Sequence, residues 1–69
     1  MEVGTLVAVV SADSVEAGTQ GVVVHIDNSK RRDTVGVMLF DHVSGHTCNG
    51  NCPNGFGKYF RPGQLLELV

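Results

Sequence analysis

The sequence predicts an all-β fold: a small five-stranded curled barrel with one long loop between its third and fourth strands. Three observations lead there. Most apolar residues are Val and Leu, and nine glycines accompany them, a mixture that suits short strands and turns better than helices. No window of eleven residues holds a helical period. Five short apolar segments alternate with turn-forming residues along the whole chain.

The elements follow in order. Residues 5–10, Thr-Leu-Val-Ala-Val-Val, read as the first strand, apolar almost without a break. The best helical candidate, residues 12–17, is short and stops at Gly18, so a turn suffices there. Residues 20–26 form the second strand and residues 35–40 the third. Between them, residues 27–34 are polar and charged, as expected of a hairpin tip. Residues 57–60 and 64–68 read as strands four and five, divided by Arg61-Pro62-Gly63, a tight turn or a single turn of 3₁₀ helix. Curling such a sheet on itself protects edges that otherwise invite aggregation. The alternative is an open meander that dimerises through one edge, so the chain is expected as a monomer or a homodimer.

With 69 residues, one domain spans the chain, residues 1–69. A core this small is marginal, because a chain of about 60 residues buries only about 60% of its extended surface. The 42% hydrophobic and 17% charged composition speaks for folding over disorder. A formal charge of −2 gives no general attraction for nucleic acid or anionic membrane. The one basic run, Lys30-Arg31-Arg32, is flanked by Asp27 and Asp33. The longest apolar run, residues 6–10, is too short to span a bilayer, and the first residues lack the basic and apolar segments of a signal peptide. The expected location is the cytoplasm, where cysteines stay reduced or bind metal.

The segment 41–56 carries the chemistry. Sixteen residues without apolar periodicity are unusual in so small a domain, and such loops tend to be functional. It holds His42, His46, Cys48 and Cys52, both cysteines and two of the three histidines. Each pair is separated by three residues, a spacing used by zinc, and imidazole with thiolate suits that ion. Gly45, Gly50 and Gly55 give the backbone room to converge. These four residues are therefore the candidate zinc ligands, and no other cofactor is expected. Two other readings stand beside it: a Cys48–Cys52 disulfide, and two small loop cysteines with histidines bonded to nearby backbone.

Several segments resemble the CAP-Gly domains of microtubule-associated proteins. Gly21-Val22-Val23-Val24 after Gly18-Thr19 looks like that family's glycine-led first strand. Val35-Gly36-Val37-Met38-Leu39-Phe40-Asp41 is similar to its Val-Gly-Val-acidic-Leu-Asp strand. Gly45 to Gly50 fall where the family has Gly-Lys-Asn-Asp-Gly, with His46, Thr47 and Cys48 in place of lysine, asparagine and aspartate. Gly57-Lys58-Tyr59-Phe60-Arg61-Pro62-Gly63-Gln64-Leu65 resembles the closing Gly-hydrophobic-Phe-Val-Arg-Pro-Ser-x-Leu. This likeness implies an SH3-like barrel. The loop also resembles short phage and bacterial proteins with Gly-His-x-Cys-x-Gly-x-Cys ahead of a glycine-aromatic segment, which implies a phage-encoded modulator of a host protein.

A binding module is the expected function, with Phe56, Lys58, Tyr59 and Arg61 facing a protein partner. Aromatic rings supply contact area at low entropic cost, and the two cations suit an acidic partner. Adjacent strand residues face opposite sides, so Phe60 is expected inside and Tyr59 outside. The alternatives are a nucleic-acid-binding barrel, which needs residues 30–32 to join Lys58 and Arg61 on one face, and a zinc-stabilised interaction domain. An enzyme is not expected, because a cysteine–histidine couple needs a water-excluding pocket that so short a chain has little room to build.

Overall fold

The computed structural model describes residues 1–12, 14–29 and 32–68. Five strands form one antiparallel sheet: β1 (Leu6–Val9), β2 (Gln20–Ser29), β3 (Arg32–Leu39), β4 (Gly57–Phe60) and β5 (Leu65–Glu67). Their order is β4-β3-β2-β1-β5, and the long loop joins β3 to β4. Strand four has the bounds read from the sequence. A 3₁₀ turn, Pro62–Gln64, takes up Gln64, so the fifth strand starts one residue later than expected. Proline at its start and the Gln64 side chain, which accepts the Arg61 N–H at 2.9 Å, fix that turn.

The main departure lies in the hairpin of β2 and β3. Residues expected as a polar tip are paired: Asp27 with Thr34, Asn28 with Asp33, Ser29 with Arg32. Polar side chains disguise these positions, yet backbone pairing does not need an apolar face once the hairpin runs past the core. Lys30 and Arg31 of the basic run lie outside the described residues. At the other end β3 stops at Leu39, and Phe40 is left exposed. Residues 14–18 form turns, with Ala17 N–H bonded to the Ser14 carbonyl at 3.2 Å.

Val7, Val9, Val23, Val35, Val37, Leu39, Phe60 and Leu65 make one buried cluster. The odd-numbered spacing within β1 and β3 is the pleat at work, one face in and one face out. Phe60 and Leu65 come from the two strands at opposite ends of the sheet order, so the sheet curls to let both enter the same core. Within β2 the register shifts between Val23 and His25. This bulge changes the parity of the strand: Val23 and Ile26 both pack on the core, and His25 turns to the outer face. Among the described residues, no helix is long and apolar enough to cross a membrane.

Candidate functional site

The bulge in β2 builds the site. It places His25 opposite Gly36, and Gly36 in turn pairs with Tyr59, so three residues line up across β2, β3 and β4 on the outer face. The middle one has no side chain, which lets the Tyr59 ring, the His25 Cβ and the Cys48 sulfur close in over it. A Cβ on Gly36 would stand 3.0 Å from the Tyr59 ring and 3.1 Å from the His25 Cβ. His25 and Tyr59 meet edge to face at 6.2 Å between centroids. Beside this pair lies a groove of about 270 Å³, lined by His25, Asp27, Thr34, Asn49 and Tyr59. Thr34 and Asp27 are cross-strand neighbours at one end, and Asn49 arrives from the long loop.

The long loop folds back over the same outer face. His46 forms a bridge with Gly57: its N–H donates to the Gly57 carbonyl at 2.7 Å and its carbonyl accepts the Gly57 N–H at 2.8 Å. This pairing covers part of the free edge of β4 and sets the His46 ring 5.0 Å from Tyr59. Tyr59 therefore lies between two imidazoles. Beyond His46 the chain makes a tight left-handed turn, with φ of +48° at Cys48, +60° at Asn49 and +84° at Gly50. Asparagine and glycine tolerate that region, whereas a left-handed cysteine costs about 1–2 kcal/mol. Local bonds hold it there. The Cys48 N–H donates to His46 Nδ1 at 3.0 Å, Asn51 Nδ2 donates to the Cys48 carbonyl at 2.6 Å, and the Asn51 N–H donates to the Thr47 carbonyl at 2.8 Å.

Cys48 is fully buried, at 0% exposure. Its sulfur fills space left by two glycines, 3.4 Å from the Cβ position of Gly36 and 2.8 Å from that of Gly57. Burial, and then the neighbouring Cys52, push its thiol up to about 11. Burial also raises the Tyr59 hydroxyl, helped by Cys48, Asp27 and Cys52, so the ring stays a neutral hydrogen-bonding group.

On the other flank, the turn at residues 14–18 reaches β4. Buried Glu16 accepts hydrogen bonds from Lys58 and from the Ser14 hydroxyl, and these two partners, Lys58 first, hold its carboxyl below the usual range. Lys58, read from the sequence as a cation for an acidic partner, is thus engaged within the fold.

No family model, curated protein or solved structure matches the chain. The site must be judged on its own geometry. Of the candidate metal ligands, Cys48 and Cys52 come together, whereas His42 lies against Gly55 and Phe56, its ring 5.4 Å from that of Phe56. Among the described residues, no group of three or more His, Cys, Asp or Glu side chains is gathered to hold a metal. Of the candidate contact residues, Tyr59 is exposed with Phe60 buried beneath it, Arg61 is exposed, and Phe56 is half-buried. From the sequence His25 reads as a structural strand residue, and Asp27, Thr34 and Asn49 are not among the candidate site residues. A hidden bulge governs the first, and the fold-back of the loop governs the last. Only Gly36, a glycine inside an otherwise continuous apolar strand, carried a signal of close approach.

Proposed function

We propose that the chain is a small protein-binding module whose contact site is the groove beside His25 and Tyr59. The observation that carries this reading is the groove that His25 and Tyr59 line together with Asp27, Thr34 and Asn49. A groove lined by two flat rings accepts an extended segment or a projecting side chain of a partner. The polar groups of Asp27, Thr34 and Asn49 then fix its orientation. Tyr59 is the anchor, offering a ring face to contact and a neutral hydroxyl to hydrogen-bond. The loop's likeness to short phage and bacterial proteins extends the reading to a host protein as the partner.

A nucleic-acid surface has less support: among the described residues, Lys58 is paired with Glu16 and the groove is lined by Asp27 and no cation. The test compares proteins captured by the wild type, by Tyr59→Ala and by Leu66→Ala, the last a change at an exposed position on β5. A partner retained by the wild type and Leu66→Ala but lost by Tyr59→Ala fits the groove. Equal recovery by all three places the contact elsewhere.

A further inference from the structure

We propose that Cys48 and Cys52 form a thiol–disulfide exchange site that reacts with low-molecular-weight disulfides and closes a covalent loop behind Asn49. Both sulfurs crowd one point: a Cβ on Gly57 would lie 2.5 Å from the Cys52 sulfur and 2.8 Å from the Cys48 sulfur. The two are therefore neighbours, brought together by the left-handed turn and by the Cys52 N–H, which donates to the Thr47 carbonyl at 3.1 Å. Apart from each other, their hydrogen-bond partners among the described residues are carbonyl oxygens. Cys48 reaches Val37 at 4.0 Å and Lys58 at 3.8 Å, and Cys52 reaches His46 at 3.8 Å. A slot walled by acceptors suits uncharged sulfur, as thiol or as disulfide, and repels the paired thiolates that zinc requires. The pairing of two glycines with two sulfurs is the mark of a built site, since any side chain at Gly57 would occupy the same space.

Exposure sets the order of events. Cys52 is partly exposed and Cys48 is sealed beneath it. The Cys52 sulfur, after losing its proton, attacks one sulfur of the external disulfide, forming a mixed disulfide and releasing one thiol. The Cys48 sulfur, losing its proton in turn, then attacks the Cys52 sulfur and expels the second external sulfur, which leaves as a thiolate and takes up a proton. Two protein S–H bonds and one external S–S bond are exchanged for one protein S–S bond and two external S–H bonds, so electrons and protons balance. Asn49 lies inside the closed loop and walls the groove, so oxidation stiffens one side of it. That last consequence rests on the binding reading; the exchange does not.

The folded protein is incubated with glutathione disulfide and followed by intact mass, by alkylation of free thiols and by tyrosine emission. Tyr59 is the only tyrosine and the chain has no tryptophan, so the emission reports the groove without any partner. The expected product has lost both free thiols and the mass of two hydrogens, carries no adduct, and returns to the starting state with dithiothreitol. Its Tyr59 emission shifts at the rate at which the thiols disappear. Cys48→Ser is expected to stop at a lasting single adduct on Cys52. Cys52→Ser, altered at the more exposed position, is expected to leave Cys48 unmodified while folded. A stable single or double adduct on the wild type, unchanged thiols, or Cys48 reacting as fast in Cys52→Ser as in the unfolded chain would each overturn the proposal. A groove that binds nothing would leave these results standing, so the two readings fail separately.

Discussion

Gly36 and Gly57 do similar work by different means, and a methyl group separates them. At Gly57 the added carbon would lie 2.5 Å from both the Cys52 sulfur and the His46 carbonyl oxygen, which the bridge holds in place. At Gly36 its nearest neighbours are the edge of the Tyr59 ring at 3.0 Å, the His25 Cβ at 3.1 Å and the Cys48 sulfur at 3.4 Å, contacts that shifts of a few tenths of an ångström relieve. Gly57→Ala is expected to lose about 1–3 kcal/mol of stability, the scale of an overpacked interior. Gly36→Ala should stay within about 1 kcal/mol of wild type, because alanine also restricts the unfolded chain. Urea midpoints of the two variants measure the difference, and equal midpoints would show that the loop yields as readily as the ring.

Among the elements, the turn at residues 14–18 is tied to β4 by one ion pair. Glu16 is buried, and Lys58 together with Ser14 keeps its carboxyl below the ordinary value of 4.5. A carboxyl whose pKa falls on folding adds stability that is complete above its unfolded value. That stability is lost as the pH drops through the lowered folded value. Glu16→Gln should therefore destabilise the protein at neutral pH by about 2 kcal/mol, the scale of a hydrogen bond to a charged group. The gap to wild type should shrink as the solution is acidified below pH 4.5, where the native carboxyl also gains its proton. Urea unfolding across that interval checks this, and a constant gap would mean that Glu16 acts through packing alone. Strands were legible in the sequence wherever Val and Leu alternate or run together, and Gly57–Phe60 was legible to the residue. Asp27 to Ser29 were not, because their pairing belongs to a hairpin arm beyond the core and leaves no apolar mark. The bulge was hidden for a related reason: Val22, Val23 and Val24 are all apolar, so nothing in their order shows where the parity changes. The fold-back of the loop rests on two glycines and one cysteine far apart in sequence, a match that only the folded chain displays.

At the scale of the molecule, the question is whether the two ends of the sheet stand or fall together. The order β4-β3-β2-β1-β5 pairs each strand only with its neighbours, which by itself would allow β4 to loosen without β5. The core argues against independence, since Phe60 of β4 and Leu65 of β5 share a single buried cluster with the valines of β1, β2 and β3. Truncating a buried phenylalanine costs about 3–5 kcal/mol. Domains have about 0.05–0.15 kcal/mol of stability per residue, so a chain of 69 residues has about 3–10 kcal/mol, of which this loss is a large share. Phe60→Ala is thus expected to bring the whole sheet near its unfolding midpoint, with the amide protons of β1 and β3 losing exchange protection by the same factor. Leu66→Ala, at a position 55% exposed on β5, should leave protection almost unchanged. Hydrogen exchange read residue by residue separates the possibilities. If β1 and β2 kept their protection in Phe60→Ala while β3 and β4 lost theirs, the molecule would be two weakly coupled hairpin units instead of one curled sheet around one core.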